Sequence, residues 1–267
     1  MAHGDLGDVA IIPIPAFADN YIWALVRGTR CAVVDPGDAA PVIAFLELRK
    51  LTLDAILLTH HHADHTGGVA ELSACRSVPV YGPAVEHIAG VTHPLNDGDR
   101  VLLPQLVAAP FSVIAVPGHT RGHIAYFSGD ILFCGDTLFA AGCGRIFEGT
   151  ARQLHDSLAR LAALPQTTRV YCTHEYTLSN LRFALAADPD NETLVARSFS
   201  AQEQRARGEP TLPSTIGLEL ETNPFLRCDH ASVIRSARAS ANLPDAPESN
   251  EVEVFALLRE WKNSFRG

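Results

Sequence analysis

No two of the six cysteines, Cys31, Cys75, Cys134, Cys143, Cys172 and Cys228, stand in a Cys-x-x-Cys pair. Scattered through apolar runs, they read as small buried hydrophobes of a disulfide-free, cytoplasmic protein. Positive charge is also short. Lys and Arg number 21 against 30 Asp and Glu, for a net charge of −9, so a nucleic-acid partner is not expected. A negative total still leaves room for an anionic ligand, because a few arginines can build a local positive pocket. No window approaches the ~18 apolar residues that cross a membrane. Met1 to Ala10 has no basic segment followed by an apolar one, so no signal peptide is expected. Gly-x-Ser-x-Gly, Gly-x-Gly-x-x-Gly, Walker-type and Pro-Cys-x-x-Cys patterns are all missing. Their absence removes the serine-hydrolase, dinucleotide, P-loop and zinc-deaminase readings.

What is present is an ordinary globular composition, 47% hydrophobic over 267 residues. That length suits one large domain, or one domain with a small companion. The chain is organised around Thr59-His60-His61-His62-Ala63-Asp64-His65, which follows the apolar run Ala55-Ile56-Leu57-Leu58 and precedes Gly67-Gly68. The apolar run predicts a strand buried on both faces. Side chains of an extended segment alternate, so His60 and His62 point one way and His61 the other.

Strands are expected at Val9 to Pro15, Tyr21 to Val26, Cys31 to Asp35, Asp54 to Thr59 and Val78 to Tyr81. Helices are expected over Pro41 to Lys50 and from about Gly68 to Ala74. Then one event repeats. Phe111 to Val116 is a strand and His119 follows it; Ile131 to Cys134 is a strand and Asp136 follows it. Arg169 to Cys172 is a strand and His174 follows it. Together with the histidine cluster, four buried strands each deliver a metal-type residue at the C-terminal end, where sites of layered α/β proteins gather. After His174 the texture turns helical, over Leu178 to Ala187, Asn191 to Arg207, Ala231 to Ser240 and Asn250 to Phe265. An irregular stretch from Pro213 to Arg227 lies between the second and third of these. Residues 1–174 therefore read as a catalytic domain and 175–267 as a helical domain.

The candidate ligands are His60, His62, Asp64, His65, His119, Asp136 and His174. Five imidazoles and two carboxylates exceed what one four-coordinate cation uses. Two divalent metals fit better, with His60, His62 and His119 on one, Asp64, His65 and His174 on the other, and Asp136 bridging. Zinc is the first expectation, and the same donors suit iron or manganese. Such a pair presents hydroxide as a nucleophile and polarises a carbonyl, which makes hydrolysis the natural chemistry, with Asp64 and Asp136 at its centre. Asp35 and His123 are weaker candidates, as groups that orient ligands from behind. His61, His87, His93 and His155 are expected not to be ligands.

The stretch Thr59 to His65 resembles the T-H-x-H-x-D-H motif of the metallo-β-lactamase superfamily. Pro117-Gly118-His119-Thr120-Arg121-Gly122-His123, Phe133-Cys134-Gly135-Asp136-Thr137 and Thr173-His174-Glu175-Tyr176 follow in that superfamily's order. Three further stretches, Gly142 to Thr150, Pro213 to Ile216 and Glu221 to Arg227, resemble the hydroxyacylglutathione hydrolase (glyoxalase II) family within it. The resemblance implies an αββα metallo-β-lactamase-like sandwich, of class α/β, with a C-terminal α-helical domain. It also implies a metal-dependent thioesterase, cleaving S-D-lactoylglutathione to D-lactate and glutathione in the second step of methylglyoxal degradation. A thiolate whose conjugate acid has a pKa near ~8.5 leaves without a strong general acid, so metal-activated hydroxide is enough. Carried over by position, Arg145, Tyr176 and Arg227 correspond to glutathione-binding positions, and Phe147 stands where some members have tyrosine. A monomer is expected, its partner the glutathione thioester, with no nucleic acid and no membrane. The alternatives are a persulfide dioxygenase, which generally lacks such a helical extension, and another superfamily hydrolase such as a lactonase.

Overall fold

A computed structural model describes residues 9–75, 77–246 and 249–266. Residues 1–8 of the N-terminal segment and the side chain of Cys75 lie outside what is described. The first sheet runs β1 (Ala10–Ala16), β2 (Asn20–Arg27), β3 (Arg30–Val34), β4 (Thr52–Leu57), β5 (Val80–Pro83) and β6 (His93–Leu95), in spatial and chain order alike. Its first three strands pair antiparallel and the rest parallel. The crossovers carry α1 (Ala39–Arg49), then α2 (Ala63–Thr66) and α3 (Val69–Cys75). The second sheet begins with β7 (Arg100–Val101), β8 (Phe111–Ala115), β9 (Ile124–Ser128) and β10 (Ile131–Gly135). A small hairpin, β11 (Leu138–Phe139) and β12 (Gly142–Cys143), and α4 (Ala151–Ala162) intervene before β13 (Arg169–Cys172). With β14 (Ser214–Thr215) the order becomes β14-β13-β10-β9-β8-β7.

Period-two burial explains why the strands carry unbroken apolar runs. In β2 and β4 the side chains of Trp23, Leu25, Ala55 and Leu57 enter the core shared by the two sheets. Ile22, Ala24, Ile56 and Leu58 face instead a core with Ala39 and Val42 of α1 and Val69 and Leu72 of α3. Both faces of the sheet are thus covered, and polar alternation is absent. The outer layer on the second sheet is helical: α4, then α8 (Ala231–Ser240) and α9 (Glu251–Ser264), whose Leu154, Leu158, Val233, Val254 and Leu258 extend the same apolar cluster. The result is the αββα arrangement. Between α4 and α8 the chain adds α5 (Thr177–Ala187), α6 (Glu192–Ala206) and α7 (Ile216–Thr222).

Several elements differ from expectation. The stretch Pro213 to Arg227 is not irregular: it holds β14, α7 and a single 3-10 turn at Pro224–Leu226. Asn223 organises that turn by accepting from the Phe225 N–H at 3.1 Å. Helix α4 was not anticipated, although Thr150 and Gln153 form a reciprocal capping box at its start. Strand β9, which follows His123 directly, was not anticipated either. Elsewhere boundaries agree closely, and Asn191 and Asn250 serve as N-caps rather than first helical residues. The five described cysteines are buried and unpaired. No helix among the described residues is long and apolar enough to cross a membrane.

The two sheets meet at one end. An isolated bridge joins Asn20 to His174, and the Tyr21 N–H donates to Thr173 O at 2.7 Å. This contact brings the end of β13 against the start of β2, at the same rim as the ends of β4, β8 and β10.

Candidate metal centre and the cleft beside it

Three imidazoles from two loops face one another at that rim. His62 Nδ1 lies 3.0 Å from His60 Nε2 and 3.1 Å from His119 Nε2. The backs of the rings determine which nitrogens are free. Thr59 Oγ1 donates to Asp35 at 2.7 Å, so at 3.1 Å from His60 Nδ1 it acts as the acceptor. His119 Nδ1 donates to the Arg145 carbonyl at 2.8 Å. With those protons on Nδ1, His60 and His119 turn lone pairs toward His62, an arrangement that wants a cation at its centre. Burial, and at His60 the neighbouring His65, push the pKa of these rings below the ordinary histidine range, and burial does the same at His62. Neutral imidazoles are what a metal needs.

A second group assembles from α2 and the end of β13. Asp64, His65 and His174 place one ligand atom each within 4.8 Å of the others. His65 Nδ1 stands 3.0 Å from Asp35 Oδ2 and His174 Nδ1 3.0 Å from Asp19 Oδ1. Asn20 Nδ2 donates to Asp64 Oδ2 at 3.3 Å. Asp136 sits between the groups, its oxygens 3.4 Å from His65 Nε2, 3.5 Å from His119 Nε2 and 3.3 Å from His174 Nε2. Burial opposes charge on Asp136, but His65 and His174 outweigh it and hold its carboxyl well below the usual range. At His65 burial is likewise overcome, by Asp136 and Asp35, and its pKa is raised. His65 Nε2 and Asp136 Oδ1 are nevertheless buried without a hydrogen-bond partner. Orphaned donor-type atoms facing each other are the mark of a cation site, and the donor set fits divalent metals.

The sequence-predicted ligands are therefore all at one place. Asp35, seen as a weaker candidate, touches Thr59 and His65 and ties the two groups together from beneath. It does so with φ of 51°, a costly left-handed backbone held at a working site. His123 is packed behind the centre, its ring stacked 4.5 Å from His60, and its Nε2 accepts from the Asp136 N–H at 3.1 Å. His61 points the other way, to Glu86 and Glu148.

Beside the centre opens a cleft of about 490 Å³ whose walls include His119, Asp136, Phe139, Arg145, Phe147 and Tyr176. Phe147 is 62% exposed and sets its ring edge-on against His62 and His119, at 5.5 and 5.2 Å. Tyr176 stacks flat on His174 at 4.6 Å.

Comparison with known proteins accords with this geometry. A family model described as the metallo-beta-lactamase superfamily matches residues 17–174, and one described as hydroxyacylglutathione hydrolase C-terminus matches residues 175–265. A hydroxyacylglutathione hydrolase of Nitrosomonas europaea is 51% identical over 259 residues, 97% of each chain. The chain belongs to the hydroxyacylglutathione hydrolase family. Its counterpart in Pseudomonas aeruginosa is 56% identical over 264 residues, 96% of this chain and 100% of the other. Among solved structures, TTHA1623 in a di-iron-bound form shares 27% identity with a TM-score of 0.57, over 80% of this chain and 100% of that one.

In this hydroxyacylglutathione hydrolase-family chain one expected substrate residue lies elsewhere. Arg227 is not among the residues lining the cleft; its Nε donates to Asp188 at 3.0 Å and its Nη1 reaches the Leu220 carbonyl. The cationic wall is made instead by Arg145 with Arg259 and Lys262 of α9. Sequence reading missed both α9 residues. Arg259 is 5% exposed, and its Nη1 donates to the Cys143 carbonyl at 2.9 Å. Its Nε is buried without a partner. Lys262 is pushed down to about 8 by burial and by Arg259 and Arg182.

Gly144 leaves the centre no room for a side chain. A Cβ there would lie 2.0 Å from the Asp136 carbonyl oxygen and 3.1 Å from His119 Nδ1. Gly144→Ala is expected to displace one of them and lower kcat by about 100-fold, the scale of a 1 Å misplacement. Steady-state kinetics with circular dichroism checks this, since the fold should persist.

Proposed function

We propose that this chain is a metal-dependent thioesterase that cleaves S-(2-hydroxyacyl)glutathione, S-D-lactoylglutathione foremost, to glutathione and the 2-hydroxy acid. The observation that carries this reading is a two-part His/Asp centre opening onto a cleft with three cationic side chains. Residues 1–174 would supply the reacting centre and 175–267 most of the grip on substrate. His60, His62 and His119 would hold one cation and Asp64, His65 and His174 the other, with Asp136 shared; zinc is the expected metal. Divalent cations so held supply Lewis acidity toward the thioester carbonyl and lower the pKa of coordinated water.

The chain's own groups do the rest. Glutathione carries two carboxylates, and Arg145, Arg259 and Lys262 offer forked or point-charge partners for them. Tyr176 and Phe147 wall the thioester toward the centre, and the likeness to TTHA1623 in its di-iron-bound form supports a pair of cations. Asp35, Asp19 and Thr59 keep the imidazoles in the ligating tautomer. The match of residues 175–265 to the hydrolase C-terminus favours this over the dioxygenase alternative. Purified protein is to be analysed for metal and assayed with S-D-lactoylglutathione before and after chelation. Hydrolysis that stops on chelation and returns with zinc, iron or manganese is expected; an undiminished rate in the stripped protein would sink the proposal.

Lys262 adds a pH signature. Its ammonium is already destabilised, so above about pH 8 it loses the charge that meets a carboxylate. KM is expected to rise through pH 8 to 9 with kcat little changed. Lys262→Met should show a KM about tenfold higher at pH 7, the worth of one hydrogen bond to a charged group, and a flatter KM profile over pH 8 to 9.

A further inference from the structure

Glu86 lies in the turn after β5, where no sequence feature singled it out. Its side chain is 4% exposed. Three groups converge on its carboxylate: His61 Nδ1 at 3.0 Å, the Gly122 N–H donating at 2.9 Å, and the Thr120 hydroxyl, which also donates. Gly122 has no room for a side chain, since a Cβ would come within 2.5 Å of Glu86 Cγ. The strut continues beyond His61. His61 Nε2 stands 3.2 Å from Glu148 Oε1, and the other Glu148 oxygen accepts from the Arg121 N–H at 3.1 Å.

The partners are not random. His61 lies between His60 and His62, and Thr120 follows His119. Every ligand of one trio is thus chain-adjacent to a group that Glu86 holds. The other trio has no bond to Glu86: Asp35, which also holds Thr59 behind His60, stands behind His65, Asp19 behind His174 and Asn20 on Asp64. Two loops must keep His62 Nδ1 about equally far from His60 Nε2 and His119 Nε2, and Glu86 is a side chain bonded to both of them.

We propose that Glu86 is the positioning residue of the His60–His62–His119 trio, and that it sets the affinity for one of the two cations without touching either. The proposal rests on the two-cation reading above. Residues that orient ligands are worth about 10–100-fold in metal affinity, and here that loss should fall on one cation alone.

The test is zinc content per chain after equilibration against a graded chelator series, read with the melting temperature, for wild type, Glu86→Ala, Glu86→Gln and His61→Ala. Wild type should hold two zinc ions. Glu86→Ala should release one of them at a free-zinc level about 10–100-fold higher than wild type and keep the other. Glu86→Gln should retain both, because its amide oxygen still accepts from Thr120 and Gly122. His61→Ala, at a side chain 37% exposed, leaves no core cavity, and should weaken the same zinc by about tenfold; it decides the matter if Glu86→Ala does not fold. Unchanged retention in Glu86→Ala or His61→Ala, parallel loss of both ions, or failure of Glu86→Gln to rescue would overturn the proposal. A wild type that binds only one zinc would overturn the two-cation reading instead.

Discussion

Asp136→Ala should abolish nearly all thioester hydrolysis, by about 10³-fold or more, while the fold survives. The figure follows from losing several kcal/mol of metal-borne charge stabilisation at about 1.4 kcal/mol per tenfold. Asp136 has oxygens within 3.5 Å of ligands from both trios. Without it the two cations have no common carboxylate, and His65 Nε2 and His174 Nε2 keep only Asp64, at 3.7 and 3.5 Å. Folding should tolerate the change, because a buried carboxylate costs desolvation and the imidazoles it meets keep Asp35 and Asp19 at their other nitrogens and Thr59 behind His60. Asp136→Asn keeps the shape and one acceptor oxygen, so it should retain more metal than alanine yet remain strongly impaired. Turnover of S-D-lactoylglutathione, zinc per chain and the circular-dichroism spectrum are the measurements. A kcat within tenfold of wild type would remove Asp136 from the reaction.

The reacting centre was legible in the sequence because each part of it is local. A buried strand announces itself as an apolar run, and the residue at its C-terminal end is fixed within one or two positions. His60, His119, Asp136 and His174 could therefore be placed at one rim from the sequence alone. The alternation of His60, His61 and His62 followed from backbone geometry alone. The cleft was less legible. Arg259 and Lys262 belong to no motif, yet they fall in register with Phe255 and Leu258, on the stripe that faces the core. A cation on an apolar stripe was the available signal. Arg227 looked like a ligand group from its motif, but its partner Asp188 lies 39 residues away, and pairing at such range leaves no local trace. Glu86 shows the same limit: its role depends on three loops meeting, none of which names it.

Glu219→Ala should lower the melting temperature by about 6–20 °C, the largest stability effect expected of a single substitution here. Glu219 is fully buried and Arg197 nearly so. Arg197 Nη2 meets Glu219 Oε1 at 2.5 Å, and the same guanidinium donates to Thr222 and Ser214. The other Glu219 oxygen accepts from the Ala141 N–H at 2.8 Å and from Asn223 Nδ2 at 2.9 Å. Asn223 in turn donates to the carbonyls of Phe139 and Gly142. One carboxylate therefore pins the β11–β12 hairpin, which supplies Phe139 and Cys143 to the cleft, onto α6 and α7. Removing one partner of a buried pair strands the other, at about 3–5 kcal/mol. For a chain of this size each kcal/mol moves the transition by about 2–4 °C, which yields the range. Because the hairpin borders the cleft, KM for the glutathione thioester should rise as well. The double variant Arg197→Met with Glu219→Met removes both charges and leaves no stranded ion, so it should melt well above Glu219→Ala. Calorimetry of the three proteins decides the point: equal melting of the single and double variants would mean that volume and hydrogen bonds, not the buried charge, hold the seam.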